Sequence, residues 1–410
     1  MEGKNNITLL LQARRHRGYE IAKTHKVVNQ NGLWLVPSQT NPRQVYKVAF
    51  RMEGATCTCQ DFLDRGIRCK HIFAVDITIS KQIDAKGNTI ITTAKRVQYP
   101  QNWSAYNLSQ ITEKEVFMKL INDICKDIDE PLYRFGRPQL SMKDMVFASA
   151  LKVYTTFSLR RFMTDMRMAL EKGYIAQNCS YSSVSNYMRD EKLTPILEQL
   201  ITLSSLPLRS IETKFAIDSS GFRTTKFNDY CREKHKMDKE HEWVKLHICT
   251  GVKTNVITSA KVGFGYDSDN TQFVPLAEDT YMTGFNIEEL SADKAYSSRD
   301  NVDYTHRIGA MPYIPFRSNA TGKSRGSYTW MRMFRYFTYN RDEFLEHYHL
   351  RSNVESTFNM LKSKFTDLIR SKDKTAQINE ALLKCLCHNI VVLVQSMNEF
   401  GIEPNFITGA

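Results

Sequence analysis

The clearest pattern of apolar and polar positions lies in residues 348–365, YHLRSNVESTFNMLKSKF. Apolar residues recur there at three- and four-residue intervals: Val354, Phe358, Leu361 and Phe365. This spacing predicts an α-helix with one buried stripe. At about 100° per residue, four polar residues fall within about 60° of one another on the neighbouring face: Tyr348, Arg351, Glu355 and Lys362. The helix would present one carboxylate flanked by cations, although ion pairs on an ordinary amphipathic helix have the same spacing.

Short β-prone runs precede this helix and predict a mixed α/β domain. They cover residues 215–217, 244–249, 256–262, 287–290 and 311–314. Asp218 ends the first run, and Asp293 follows the fourth. The two aspartates are 75 residues apart, and Glu355 follows Asp293 by 62 residues. The chain therefore offers an Asp, Asp, Glu set at two strand ends and on one helix. Four other acids compete with them: Asp267 and Asp269, which follow another predicted strand, and Asp300 and Asp303.

These residues resemble the DDE transposases of bacterial and archaeal insertion sequences, in the group marked by Tyr-x2-Arg-x3-Glu-x6-Lys. All four signature positions match, and the DKAY that begins at Asp293 is similar to that group's pattern. The resemblance implies a ribonuclease-H-like α/β core with the first aspartate on its central strand. It implies that Asp218, Asp293 and Glu355 hold Mg²⁺ or Mn²⁺. It also implies that Tyr348, Arg351 and Lys362 engage DNA.

Carboxylate oxygens suit such ions, and two ions about 4 Å apart can activate an attacking oxygen and stabilise a leaving one. With water as the attacker the site would cut a strand, and with a 3′-hydroxyl it would join one. The expected function is therefore that of a DNA transposase. The alternatives are a transposase-derived, zinc-containing DNA-binding protein without catalysis, and a nuclease of the same fold.

A second motif lies near the N-terminus, where Cys57, Cys59, Cys69 and His71 have the spacing Cys-x-Cys-x9-Cys-x-His. Three thiolates and one imidazole can close a tetrahedral zinc shell, which indicates a structural Zn²⁺ site. We expect a strand through residues 45–50 to lead to the first ligand pair and a helix to start near Cys69. The segment resembles the SWIM zinc finger, including its Cys-Lys-His-Ile ending. The alternative is four unrelated residues in a reduced protein, and the spacing does not decide whether the module binds DNA or protein.

Two further segments are candidates for DNA contact. From Ser141, helical periodicity continues to a stop at Gly173, and hydroxyl residues then suit the start of another short helix. These helices predict either a helix-turn-helix with Arg160, Arg161 and Arg167 towards DNA, or a helical packing domain. Residues 304–341 carry no acid and interleave cations with aromatic rings, which suits nucleic acid but also core packing.

Composition agrees with a polyanionic partner. Lysine and arginine number 56 against 44 acidic residues, giving a net charge of +12, although a basic solvated surface has the same balance. Only three of the nine cysteines belong to the metal motif, and the rest are mostly scattered, so we expect no disulfide framework. The apolar residues 381–394 contain Lys384, His388 and Asn389 and predict a buried helix, not a membrane span.

We therefore expect a cytoplasmic, nucleoid-associated protein that binds double-stranded DNA and no membrane. The family resemblance implies a homodimer on paired ends. The predicted domains are a zinc module, a linker, a helical and possible helix-turn-helix region, a ribonuclease-H-like catalytic domain and a C-terminal helix, at residues 1–95, 96–135, 136–208, 209–373 and 374–410.

Overall fold

The computed structural model describes residues 2–30, 32–39, 41, 43–51, 54–81, 102–130, 135, 139–225, 243–265 and 268–406. It divides into two compact units. The first comprises Met1–Val97, Ser297–Arg307 and Pro312–Leu350, and the second comprises Gln98–Tyr296, Ile308–Met311 and Arg351–Ala410.

The helices and strands are numbered along the chain. The helices are α1 (Glu2–Thr24), α2 (Gln60–Arg65), α3 (Lys70–Lys81), α4 (Trp103–Cys125), α5 (Met142–Thr155), α6 (Leu159–Glu171), α7 (Tyr181–Met188), α8 (Leu193–Ser205), α9 (Asp269–Met282), α10 (Arg299–Arg307), α11 (Tyr328–Tyr339), α12 (Arg341–Tyr348), α13 (Ser352–Phe365) and α14 (Lys374–Phe400). The strands are β1 (Val28–Gln30), β2 (Leu33–Pro37), β3 (Val45–Arg51), β4 (Gly54–Cys57), β5 (Lys214–Phe222), β6 (Val244–Gly251), β7 (Ile257–Phe264), β8 (Glu289–Ala292) and β9 (Met311–Tyr313).

The first unit is built on an antiparallel sheet in the order β1-β2-β3-β4. Alternate residues are buried along the middle strands, Trp34 and Val36 on β2 and Val48 and Phe50 on β3, as the two-residue period of a strand requires. Helix α1 packs against α3 through Gly18, where a Cβ atom would lie 2.6 Å from the Cβ of Phe73. A residue larger than glycine would force these two helices apart.

The joint between α11 and α12 packs on this same sheet. The ring of Tyr339 stacks on Phe50 with centroids 3.7 Å apart and planes 6° apart. Trp34 Nε1 donates to the Tyr339 carbonyl at 2.9 Å, and Asn340 Nδ2 donates to the Phe50 carbonyl at 2.6 Å. The zinc-motif sheet and the later helical segment are therefore parts of one core.

The sequence left open whether the aromatic rings of residues 304–341 contact nucleic acid or pack in the core, and their burial bears on this choice. Five of its rings are at most 9% exposed: Tyr304, Tyr313, Phe316, Trp330 and Tyr336. Tyr328 is 62% exposed, and the cations Arg317, Lys323, Arg325 and Arg335 are exposed as well. The core role accounts for most of these rings, so a DNA contact from this segment would depend mainly on its cations.

The second unit contains a mixed sheet in the order β7-β6-β5-β8-β9. Strands β5, β6 and β7 are antiparallel neighbours, whereas β8 runs parallel to β5 on its other side. At the edge, the Met311 amide donates to the Glu288 carbonyl at 2.8 Å. Three antiparallel strands followed by parallel pairing, with the Asp218 strand in the centre, form a ribonuclease-H-like sheet. The predicted fold class is confirmed.

Helix α14 is the long core helix of this unit. Among the described residues it is the one helix long and apolar enough to cross a membrane, but 83% of its most apolar window is buried inside the protein. Its polar residues have internal partners: Lys384 Nζ donates to the carbonyls of Thr366 and Leu368, and the His388 ring bonds the Asn255 carbonyl. The prediction of a buried helix at this position is confirmed.

The segment between the zinc motif and the helical region differs from expectation. Residues 103–125, predicted as part of a linker, form the 23-residue helix α4. The first half of α4 buries Ala105, Ser109 and Glu113, so this half has no apolar stripe. The Glu113 carboxylate pairs with Lys364 Nζ at 2.7 Å and accepts a hydrogen bond from the Tyr154 hydroxyl at 2.7 Å. Polar contacts with distant segments therefore stabilise this half of the helix, and the apolar periodicity on which a helix prediction depends is absent from it.

The helical region itself agrees with its periodicity. Helices α5 to α8 fill residues 142–205, and Gly173 has a φ of +73° just after α6, as its place as a helix stop predicted. Phe162, Met166 and Ala169 of α6 are buried, and the arginines Arg160, Arg161 and Arg167 are exposed.

Buried Asn389 on α14 generates a stability prediction. Its side chain donates to the Ile201 and Ile257 carbonyls and accepts from the Ile257 amide at 2.8 Å. Asn389→Leu would leave these backbone groups unpaired in the core, so we expect a loss of at least about 3 kcal/mol in the free energy of unfolding. Urea unfolding followed by circular dichroism measures it.

Asn398 on the same helix provides the matched control, because it is exposed. Asn398→Leu should change the free energy of unfolding by no more than about 0.5 kcal/mol. Equal effects of the two substitutions would contradict the assigned role of Asn389.

Candidate active site and zinc centre

Two acids meet at the end of the central strand pair. In the parallel register of β5 and β8, Ile217 is the partner of Ala292, so Asp218 is the next residue of β5 and Asp293 is the residue directly after β8. Neighbouring strands lie about 4.8 Å apart, and residues at matched register point to the same face of the sheet. The sheet therefore sets these two aspartates side by side, although they are 75 residues apart in the chain.

The third acid comes from α13, which packs against β5 and β6. The apolar stripe predicted for this helix is confirmed, because Val354, Phe358, Leu361 and Phe365 are all buried. Glu355 lies in the first turn of the helix, where the backbone dipole favours a carboxylate.

Arg351 joins the acids of strand and helix. Its Nη1 lies 2.5 Å from Asp218 Oδ2, and its Nη2 lies 2.6 Å from Glu355 Oε1. The Arg351 and Asp218 side chains are 18% and 19% exposed, whereas Glu355 is 61% exposed. One guanidinium therefore bridges two carboxylates at the margin between core and solvent.

The electrostatics of Asp218 reflect this crowding. Burial is the main reason why the pKa of its carboxyl is raised, and the like charges of Asp293 and Glu355 act in the same direction. The Ser219 amide, which donates to Asp218 Oδ1 at 2.9 Å, and Arg351 oppose the rise. An ionised carboxylate in these surroundings requires a cation beside it.

Hard oxygen donors with a demand for positive charge suit Mg²⁺ or Mn²⁺, so the residues present fit the divalent ions that the sequence implied. The acids are not gathered as tightly as metal ligands are. Within the described ranges, only the four Cys and His residues of the N-terminal motif form a group of three or more His, Cys, Asp or Glu residues whose ligand atoms all lie within 4.8 Å of one another.

The two remaining residues of the signature have different surroundings. Lys362 Nζ donates to Ser220 Oγ at 2.7 Å and lies 5.3 Å from the ring centroid of Phe222, so it follows β5 beyond Asp218. Burial lowers the pKa of Lys362. Tyr348 is the last residue of the separate helix α12, and a 3₁₀ turn at His349–Arg351 precedes α13. The prediction of one continuous helix from Tyr348 is wrong.

A polar network beside Asp218 was only partly foreseen. Asp269, a competing acid in the sequence, accepts from Ser219 Oγ at 2.8 Å and pairs with Lys245 Nζ at 2.7 Å. Burial alone would raise its pKa, but these two partners outweigh burial and lower it. Asp269 is therefore engaged in positioning the residue next to Asp218. Ser219 and Lys245 stand near one another through strand pairing, which leaves no periodic signal in the sequence.

The four residues of the zinc motif lie together, with their ligand atoms within 4.8 Å of one another. The predicted strand through residues 45–50 is β3, but Cys57 ends a further strand, β4, that was not predicted, and Cys59 lies in the turn after it. Cys69 lies directly before α3 and His71 in its first turn, so the predicted helix near Cys69 is confirmed. His71 Nδ1 lies 3.7 Å from Cys57 Sγ and 3.9 Å from Cys69 Sγ. Zinc bonds of about 2.3 Å to sulfur and 2.0–2.1 Å to nitrogen, at a tetrahedral angle, require about 3.6 Å between ligand atoms. The cluster has the size of a zinc shell.

Protonation in the cluster also suits a metal. The three thiols and the imidazole are all buried. The hydrogen bond between the Cys57 and Cys69 thiols raises the pKa of Cys57 and lowers that of Cys69. A buried thiolate is stabilised by a bound cation, and the Tyr46 ring stacks on His71 at 4.2 Å and orients it.

Comparisons with known proteins match the segments that contain these two candidate sites. Residues 209–390 match the family model described as transposase DDE domain, and residues 43–75 match the SWIM zinc finger model. A solved structure described as "Cryo-EM structure of piggyBac transposase synaptic complex with hairpin DNA (SNHP)" is similar at 11% sequence identity, with a TM-score of 0.35, covering 74% of this chain and 77% of that chain.

The zinc centre makes a direct prediction. Cys69→Ser should abolish the zinc that copurifies with the protein and expose the first unit to limited proteolysis, because a module this small depends on its metal for folding energy. Cys179→Ser is the control, since Cys179 is a buried cysteine outside the cluster. Metal analysis of wild type and both variants measures it, and a zinc-free wild type would refute the site.

Proposed function

We propose that this chain, which carries a transposase DDE domain and an N-terminal SWIM zinc finger, is an insertion-sequence transposase that cuts DNA at the ends of its element and joins them to a target. The resemblance drawn from the signature residues is confirmed at the level of these two domains. The observation that best supports the activity is the pairing of the Asp218 and Asp293 strand ends, with Glu355 tied to Asp218 through Arg351.

In this proposal Asp218, Asp293 and Glu355 hold Mg²⁺ or Mn²⁺. Such ions would supply the charge that activates the attacking oxygen and stabilises the leaving oxygen of an in-line displacement. Asp218 is fixed by the Ser219 amide, and the strand beyond it is fixed by the Ser219–Asp269–Lys245 network. The carboxylates are thereby held in place before substrate arrives, which reduces the cost of arranging them during the reaction.

The DNA-binding residues in this proposal are the cations around the acids. Lys362 stands on the α13 face that follows β5, where an ammonium can contact a phosphate near the cut. Arg351 has the planar fork that suits phosphate oxygens. Tyr348 is proposed to contact the element end, and the exposed arginines of α6 suit a duplex backbone. A homodimer would allow two ends to be held together.

Substitution of the three acids tests the proposal. Asp218→Asn, Asp293→Asn and Glu355→Gln should each reduce cleavage of a duplex carrying the element's own terminal repeat by at least about a thousandfold, because residues that act as a unit fail together. Binding of the same duplex should remain, since the cations are unchanged. Gel analysis of cleaved and joined products in Mg²⁺, with a mobility-shift assay beside it, gives both readouts.

Asp300→Asn and Glu346→Gln are matched controls, because both residues are exposed acids outside the set. They should cleave like wild type. Full activity in any one acid variant would remove that residue from the site. Cleavage without joining would favour the nuclease, and binding without cleavage by wild type would favour the non-catalytic DNA-binding protein.

A further inference from the structure

Arg351 is placed where a resident cation would be expected. Its two terminal nitrogens donate to Asp218 and Glu355, two of the three acids proposed to hold divalent ions. It is also a residue of the signature that the sequence assigned to DNA. In the DNA-free structure, the guanidinium therefore contacts the acids themselves.

The two contacts are strong for their type. Bonds between a guanidinium and a carboxylate combine charge with hydrogen bonding, and Arg351 lies against the buried Asp218 side chain, where solvent screening is weak. Through these contacts it neutralises part of the repulsion between Asp218 and Glu355. The same negative charge is what a divalent cation requires.

A divalent ion and the guanidinium are mutually exclusive in this position. An ion held by Asp218 and Glu355 would lie beside the guanidinium that donates to the same two carboxylates, and two positive groups a few ångströms apart in a partly buried site repel each other. Arg351 lies in the 3₁₀ turn just before α13, so its long side chain can turn away while Glu355 stays on the helix.

We propose that Arg351 is a displaceable internal cation: it bridges Asp218 and Glu355 while the metal site is empty, and a divalent ion displaces it towards a DNA phosphate. The inference rests on the proposed function, because it takes the acids as metal ligands. It adds that metal loading and DNA engagement are coupled through one side chain. By linkage, each would strengthen the other.

Lys362 separates this role from that of a general basic surface. Its ammonium is bonded to Ser220 and lies over the Phe222 ring, beyond the acids along β5. Its described hydrogen bond is to Ser220, so contact with a phosphate would not break a bond to the three acids. The exchange is therefore specific to Arg351 among the two signature cations of the second unit.

Binding of Mn²⁺ to the DNA-free, full-length protein tests the proposal, followed by the electron paramagnetic resonance signal of free Mn²⁺. Arg351→Gln should bind Mn²⁺ at least about tenfold more tightly than wild type, because no internal cation has to be displaced. Arg351→Lys should fall between them, since lysine keeps the charge but cannot fork across both acids. Thermal unfolding of each variant confirms that it is folded.

Arg223→Gln is the matched control. Arg223 forms an ordinary ion pair with Asp367 at 2.7 Å in the same unit and makes no contact with the three acids among its described partners. Its Mn²⁺ affinity should equal that of wild type. If Arg351→Gln binds Mn²⁺ no more tightly than wild type, the exchange is refuted.

Asp218→Asn distinguishes failure of this inference from failure of the proposed function. If it weakens Mn²⁺ binding while Arg351→Gln leaves it unchanged, the acids hold the ion and only the role of Arg351 falls. If it binds Mn²⁺ as wild type does, the ion does not sit on these acids, and both the metal assignment and the exchange fall together.

Discussion

The parallel pairing of β5 with β8 is the constraint on which the candidate site depends. It brings Asp218 and Asp293 to matched positions on neighbouring strands, and no local feature of either segment could do so. The buried run Phe215–Ile217 holds β5 in the centre of the sheet, so its polar end must emerge at an edge of the core. Backbone register, set by hydrophobic burial, thus creates the acidic pair.

Placing like charges together has a cost that the rest of the site offsets. Burial and the neighbouring acids raise the pKa of Asp218, and the Ser219 amide and Arg351 act against that rise. Asp269, one residue from this point through Ser219, has its own cation in Lys245. Each of these acids contacts a hydrogen-bond donor or a cation. The cation on Asp218 and Glu355 is Arg351, whose long side chain extends from a 3₁₀ turn and not from a strand. That is the one counter-charge here that a ligand could replace without disturbing the sheet.

Sequence reasoning succeeded where the relevant contacts are local or periodic. The stripe of α13, the stop at Gly173 and the ligand pairs at Cys57 and Cys69 all depend on neighbours within a few residues. It failed at α4, whose first half buries Glu113 against partners from two distant segments. It also failed at Tyr348, because a turn of 3₁₀ helix changes the angular spacing without changing composition. The Ser219–Asp269–Lys245 network could not be predicted for a similar reason. Its members are distant in the sequence, and strand pairing brings Ser219 and Lys245 together.

The zinc module is separate in sequence from the candidate active site, and its contacts are with the α11–α12 joint. Its sheet supplies Phe50 and Trp34 to the joint of α11 and α12. The Tyr339 hydroxyl lies beside Asp76 of α3 and Arg68 just before that helix. Tyr339 of the joint in turn packs against the buried cluster formed by the sheet and α3. The four zinc ligands join β4 to the start of α3, and Asp76 of α3 and Arg68 just before it are the groups beside the Tyr339 hydroxyl. In the described contacts the sheet of the zinc module packs on the α11–α12 joint of the same chain, so the candidate zinc site lies in a module that is part of a larger core.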